Sequence, residues 1–228
     1  MPGGRLSTLL IGLATAIVIV TAAVLPFLTP QWVAFEQGRA NASGWTGYST
    51  DELNTATGSI LSDLVVGSPD FDVVVRGEPV LDERERGHMR DVRTVFVGLW
   101  VLAAVSIVVL VAAARRRDRA AVWRAVRGGA LGLTVAIGVL GVVALVAFDA
   151  LFELFHRVFF PAGSYTFDPA SERLVQLFPF QFWEETALVV GIVIVALALV
   201  LALIAGRRAV RPAGIPASVE LVATPASR

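Results

Sequence analysis

Cysteine is absent from this 228-residue chain, and so is lysine; all nineteen basic residues are arginine. The missing thiol excludes disulfides, thiolate zinc sites and a thioester acyl-enzyme, and leaves no cysteine on the chain itself for lipid attachment. The missing amine excludes a lysine Schiff base. Charge is scarce, at 17% of residues, and nineteen acidic side chains balance the nineteen basic ones to a formal net charge of zero. Nothing in that balance points to nucleic acid. No glycine-rich phosphate loop follows a strand-like segment, and no soluble catalytic domain is legible. Histidine occurs twice, at positions 88 and 156.

The rest is dominated by apolar residues, 56% of the chain, with a mean hydropathy of +0.72. Four windows, 6–28, 94–114, 128–148 and 186–205, hold no charged residue. Each is long enough for the roughly 30 Å of a bilayer core, which takes about 20 helical residues. One arginine or aspartate at a helix centre would cost ~3 kcal/mol on insertion scales. The expected fold class is therefore an all-α integral membrane protein with four transmembrane helices. A small extracytoplasmic domain lies between helices 1 and 2, and a re-entrant or interfacial segment between helices 3 and 4.

Arginine sets the expected orientation in the cell membrane. Arg5 precedes the first window, Arg115, Arg116, Arg117, Arg119, Arg124 and Arg127 join the second to the third, and Arg207, Arg208 and Arg211 follow the fourth. The positive-inside rule makes these cytoplasmic, together with both termini. Segments 29–93 and 149–185 then face outward. Arg5 and the small residues Ala22 and Ala23 also fit a cleaved signal peptide, but the apolar run continues to Leu28, long for one, and is read as a span. Residues 1–206 are expected to form one membrane domain with its loops. The stretch 207–228, whose end is rich in proline, alanine and serine, is read as a disordered cytoplasmic tail.

The first outward segment shows helical periodicity. Ser49 or Thr50 caps a helix starting at Asp51 and Glu52, and Leu53, Thr57, Ile60, Leu61, Leu64 and Val65 form its apolar face, expected to lie on the membrane or the bundle. Gly67 to Asp70 end that helix, 71–76 reads as a short strand, and helix resumes at Asp82 into the second span. In the third span Gly128 and Gly132, joined by Gly138 and Gly141, form a small-residue pattern suited to close helix packing.

Both histidines fall in the outward segments. An imidazole near neutral pH serves as acid, base or metal ligand, so two at one membrane face are the main functional lead. Around the first, Glu85, His88 and Asp91 recur at a spacing of three and share a helical face; a carboxylate there can orient the ring for general-base work. Around the second, Asp149, Phe152, Glu153, His156 and Phe160 follow one helical stripe, and the phenylalanines offer a slot for an acyl chain. Solvated charges and an interfacial aromatic belt account for the same residues without function.

These stretches resemble the four-span bacterial membrane family that includes lipoprotein intramolecular transacylase. The matching residues are Glu85-x-x-His88-Met89-x-Asp91-Val92, Phe148-Asp149 with Phe155-His156, and Tyr165-x-x-Asp168-Pro169 leading to Leu177-Phe178-Pro179-x-x-Phe182. The third motif departs from the usual pattern, with Tyr165 in place of a tryptophan and Pro161-Ala162-Gly163-Ser164 before it. The resemblance implies an acyltransferase that moves the sn-2 acyl chain of a diacylglyceryl-cysteine lipoprotein to the free α-amino group of that cysteine at the outer leaflet. It needs no cofactor and no metal. Its partners would be a diacylated bacterial lipoprotein and membrane lipid, with no nucleic acid. Catalysis would fall to His88 as base and His156 as acid, or the reverse, supported by Glu85, Asp91, Asp149 and Tyr165. Phe152, Phe155, Phe159, Phe160 and Phe178 would bind substrate.

Two other readings compete. Glu85-x-x-His88 and Glu153-x-x-His156 have the spacing of di-iron carboxylate bundles, with Glu36 or Glu52 and Glu184 or Glu185 as further ligands. A non-enzymatic membrane protein that binds a partner through its acidic outer loop also fits. Charge-free spans argue against a transporter.

Overall fold

A computed structural model describes residues 3–116 and 118–210. The tail from position 211 on, and with it most of the segment read as disordered, lies outside the described residues. Among the described residues four helices are long and apolar enough to cross a membrane. They are α1 (Gly3–Val24), α5 (Glu83–Ala114), α6 (Arg119–Phe159) and α8 (Phe180–Ala209). The short α2 (Pro30–Arg39), α3 (Ala42–Thr46), α4 (Thr50–Val65) and α7 (Arg173–Leu177), with a two-stranded hairpin, make up the rest. Helix α8 runs three residues beyond the boundary expected at 206, because Arg207 and Arg208 sit favourably on its C-terminal carbonyls.

The spans meet through small residues. Ala23, Ala130 and Ala198 are fully buried where α1, α6 and α8 meet. Gly12 and Gly129 bring two backbones together: a Cβ on Gly129 would sit 2.3 Å from the Gly12 carbonyl oxygen. The expected pattern therefore falls one residue off. Gly128, Gly132, Gly138 and Gly141 have open space where a Cβ would go. Large apolar side chains such as Val108, Leu145 and Val146 stay on the outside, as lipid contact requires.

Above one end of the bundle, segments 29–93 and 149–185 share a single core containing Val33, Ile60, Phe71, Val80, Leu177 and Phe182. Local chemistry sets each element. Pro26 closes α1 into a 3-10 turn (Leu25–Leu28), and Thr29 caps α2 with Pro30 in its first turn. Ser49 and Glu52 form a capping box for α4, and Arg76 returns to bind Glu52 at 2.6 Å. Helix α4 packs on α2, α5 and the hairpin inside this core, not on the membrane; Val65 is 43% exposed and leaves the predicted face. The expected strand shrinks to β1 (Val74–Val75), paired antiparallel with β2 (Glu78–Pro79). Arg76 and Gly77 both have positive φ, the two-residue turn that matches strand twist. Asp82 and Glu85 form a second capping box at the start of α5.

Candidate functional site

Two chain features bring the histidines together. Capping fixes the first turns of α5, so His88 enters the outer core beside Glu85 and Met89. Helix α6 breaks at Ala147, with φ −151 and ψ 47, so its last segment takes its own direction and carries Phe152 and His156. The two imidazoles then lie 6.0 Å apart between ring centres, tilted by 21°. Each is about nine-tenths buried.

The recess around them is aromatic. Phe160 stands edge-on to His88 at 4.8 Å and touches His156 at 5.4 Å. Phe167 closes on His88 from the loop before α7 at 5.4 Å. Phe152, Phe155 and Tyr165 surround His156 at 4.3, 5.4 and 5.1 Å. Phe155 is 46% exposed, giving the recess an apolar lip. Phe159 leans on the Phe155 ring, and Phe178 packs on Phe182 and Trp183; among the described residues neither ring meets an imidazole.

Hydrogen bonding distinguishes the two rings. Nδ1 of His156 lies 2.7 Å from the Phe152 carbonyl oxygen. A carbonyl only accepts, so Nδ1 carries the hydrogen and the neutral ring holds its lone pair on Nε2. Nδ1 of His88 is buried with no hydrogen-bond partner among the described residues. Leaving such an atom unpaired costs about 1–3 kcal/mol.

None of the carboxylates expected to orient these rings bonds to an imidazole among the described residues. Glu85 accepts from the backbone N–H of Asp82 at 2.7 Å and of Leu174 at 2.6 Å, tying α5 to α7. The side chains of Asp91 and the exposed Asp149 make no hydrogen bond or ion pair among the described residues. Glu153 pairs with Arg157 at 2.8 Å and accepts from the Tyr165 hydroxyl at 3.3 Å. Tyr165 thus reaches the site with its ring, while its hydroxyl is held by Glu153.

The metal reading fails on the same geometry. Among the described residues no three of His, Asp and Glu converge as ligands. Glu52 is held by Arg76, and Glu36 and Glu185 face each other beside Arg39.

Sequence reasoning missed two participants. Phe167 sits just before the Asp168-Pro169 pair, and its aromatic character beside a turn was the available signal. Arg84 donates to the Thr166 carbonyl at 2.7 Å, pairs with Glu172 and lies 4.7 Å over the Phe167 ring. It clamps the loop that carries Phe167 and Tyr165, a role invisible until the loop is placed.

The family model for lipoprotein intramolecular transacylase Lit matches residues 7–183. The membrane integral lipoprotein intramolecular transacylase Lit from Bacillus cereus has a similar fold, with a TM-score of 0.76 at 17% identity over 90% of this chain and 94% of that one. Forms of the same protein with one histidine replaced by arginine or alanine superpose with TM-scores of 0.71 and 0.72 at 18% identity, again over 90% of this chain and 91% and 93% of those. No curated protein matches the chain.

Proposed function

The chain belongs to the lipoprotein intramolecular transacylase family, and we propose that it transfers the sn-2 acyl chain of a diacylglyceryl-cysteine lipoprotein to the α-amino group of that cysteine. His88 and His156 handle the proton. The observation that carries this reading is the pair of imidazoles 6.0 Å apart, on helices distant in sequence, in a recess of phenylalanines.

In this scheme amine and ester belong to one substrate, so holding them together supplies much of the rate. The amine nitrogen attacks the ester carbonyl; a C–N bond forms and the bond to the sn-2 oxygen breaks. Nε2 of His156, its other nitrogen committed to the Phe152 carbonyl, takes the proton from the amine. His88, whose Nδ1 has no partner among the described residues, relays that proton: it takes one on one ring nitrogen and gives one from the other to the departing glyceryl oxygen, so both imidazoles end as they began. One proton leaves nitrogen and one arrives at oxygen, so product and substrate are isomers and no water is consumed. Phe152, Phe155 and Phe160 give the acyl chain an apolar bed. Arginine-rich helix ends on the opposite side support an outward-facing site and cytoplasmic termini.

The test is conversion of a synthetic diacylglyceryl lipopeptide by purified protein. Because mass does not change, fragmentation spectra are needed to separate the N-acyl lyso product from the starting isomer. His88→Gln and His156→Gln are each expected to abolish conversion. Turnover by both variants at the unaltered rate would overturn the mechanism.

A further inference from the structure

A second recess lies at the other end of the bundle, among the arginines. It is a cavity of about 500 Å³ bordered by all four spanning helices. Thr15 and Ile19 of α1, Leu110 of α5, Val126 of α6 and Leu201 of α8 form its walls. It exists because α5 packs on α1 and hardly meets α8. That geometry leaves a slot open toward lipid in front of α1.

Its rim is different in kind. Arg119, at the start of α6, and Arg208, near the end of α8, both border the cavity and are exposed. No carboxylate lies within ion-pairing distance of either guanidinium among the described residues. Arg208 lies 5.5 Å over the Trp123 ring, which fixes it at the mouth and marks the headgroup level. Val126 is two helical turns deeper than Arg119, about 10 Å along the axis at 1.5 Å per residue. The slot therefore runs from a cationic rim into hydrocarbon depth.

We infer that this slot holds an anionic phospholipid of the arginine-side leaflet, its phosphate between Arg119 and Arg208 and one acyl chain along Thr15, Ile19 and Leu201. Charge selects this occupant. A zwitterionic lipid would fill the walls as well but gains less from two guanidinium groups that have no ion pair among the described residues, and a free anion would leave the apolar walls uncovered. The site is separate from the imidazole recess and does not depend on the reaction proposed there.

Native mass spectrometry of protein released from nanodiscs of equal phosphatidylglycerol and phosphatidylcholine tests the inference. The wild-type protein is expected to retain one phosphatidylglycerol, enriched about tenfold over phosphatidylcholine. Arg119→Gln with Arg208→Gln should erase that enrichment. Arg115→Gln with Arg207→Gln removes the same charge at the same end, away from the cavity, and should keep it. Leu201→Trp, which fills the slot and leaves the arginines, should abolish retention. Equal retention of the two lipids by wild type, or equal loss in both double variants, would overturn the site.

Discussion

Replacing Glu85 distinguishes a carboxylate that serves an imidazole from one that holds the fold. Its place one helical turn before His88 suggests a carboxylate that serves the imidazole. Its observed bonds instead run to the N–H groups of Asp82 and Leu174, with the side chain only 2% exposed. In Glu85→Gln one of those donors faces an amide NH₂ and goes unpaired, costing about 2 kcal/mol; Glu85→Ala strands both, about 4 kcal/mol. For a chain of this size that corresponds to a fall in melting temperature of roughly 4–8 °C and 8–16 °C. Thermal unfolding in detergent, run beside the pH profile of lipopeptide conversion, separates the two roles. The expected result is lowered stability, a rate reduced at every pH and an unchanged profile shape, because the carboxylate holds α7 and does not touch the ring. A Glu85→Gln protein of normal stability whose pH profile had moved would refute this, and would return the carboxylate to the imidazole.

Gly129→Ala is expected to destabilise by about 2 kcal/mol, since the new Cβ would meet the Gly12 backbone, while Gly132→Ala, with open space there, should be neutral in the same unfolding assay. Arg84→Gln should raise KM several-fold and lower kcat less, because it frees the loop bearing Phe167 and Tyr165 without removing a proton-handling group; Arg84→Lys, lacking the planar fork, should rescue little. Glu36, buried and facing Glu185, has its carboxyl raised above the ordinary value near 4.5, burial being the larger cause and the Glu185 charge the next. A raised acid favours the folded state below its ordinary value and withdraws that support as pH climbs through the folded one. Glu36→Gln should therefore gain melting temperature relative to wild type as pH rises above about 4.5; parallel curves would contradict it.

The spans and their helical character were readable because bilayer thickness imposes a length and a composition that few other structures share. Both capping boxes were readable for a similar reason: Ser49 with Glu52, and Asp82 with Glu85, satisfy a purely local demand for partners. What was not readable depends on distant partners. Gly12 and Gly129 meet across two helices, and neither pattern alone reveals which glycine in Gly128-Gly129 faces the other chain segment. The same holds at the site. The histidines themselves stood out by rarity, but Asp91 and Asp149 share their helical faces only in an idealised wheel. The break at Ala147 and the packing of α7 on Glu85 decide which side chains reach the rings, and those are tertiary facts.

Four ion pairs of the outer domain have a common placement. Arg84 takes Glu172, Arg76 takes Glu52, Arg39 takes Glu185 and Arg157 takes Glu153, and in every pair the arginine is about half exposed or more. Such pairs contribute little to stability one at a time. Each arginine occupies its carboxylate, so that none of these four competes for an imidazole nitrogen. The rings are left with one carbonyl, several aromatic faces and one open Nδ1. For an acyl ester joined to its own nucleophile, that environment suits the chemistry: the chain needs apolar walls, and the reacting atoms need donors and acceptors not already satisfied. Moving a carboxylate into reach, as Phe160→Asp would do beside both rings, should bind one imidazole as an ion pair and slow conversion even where folding survives. Conversion at the wild-type rate by that variant would mean that the apolar surround is incidental to the reaction.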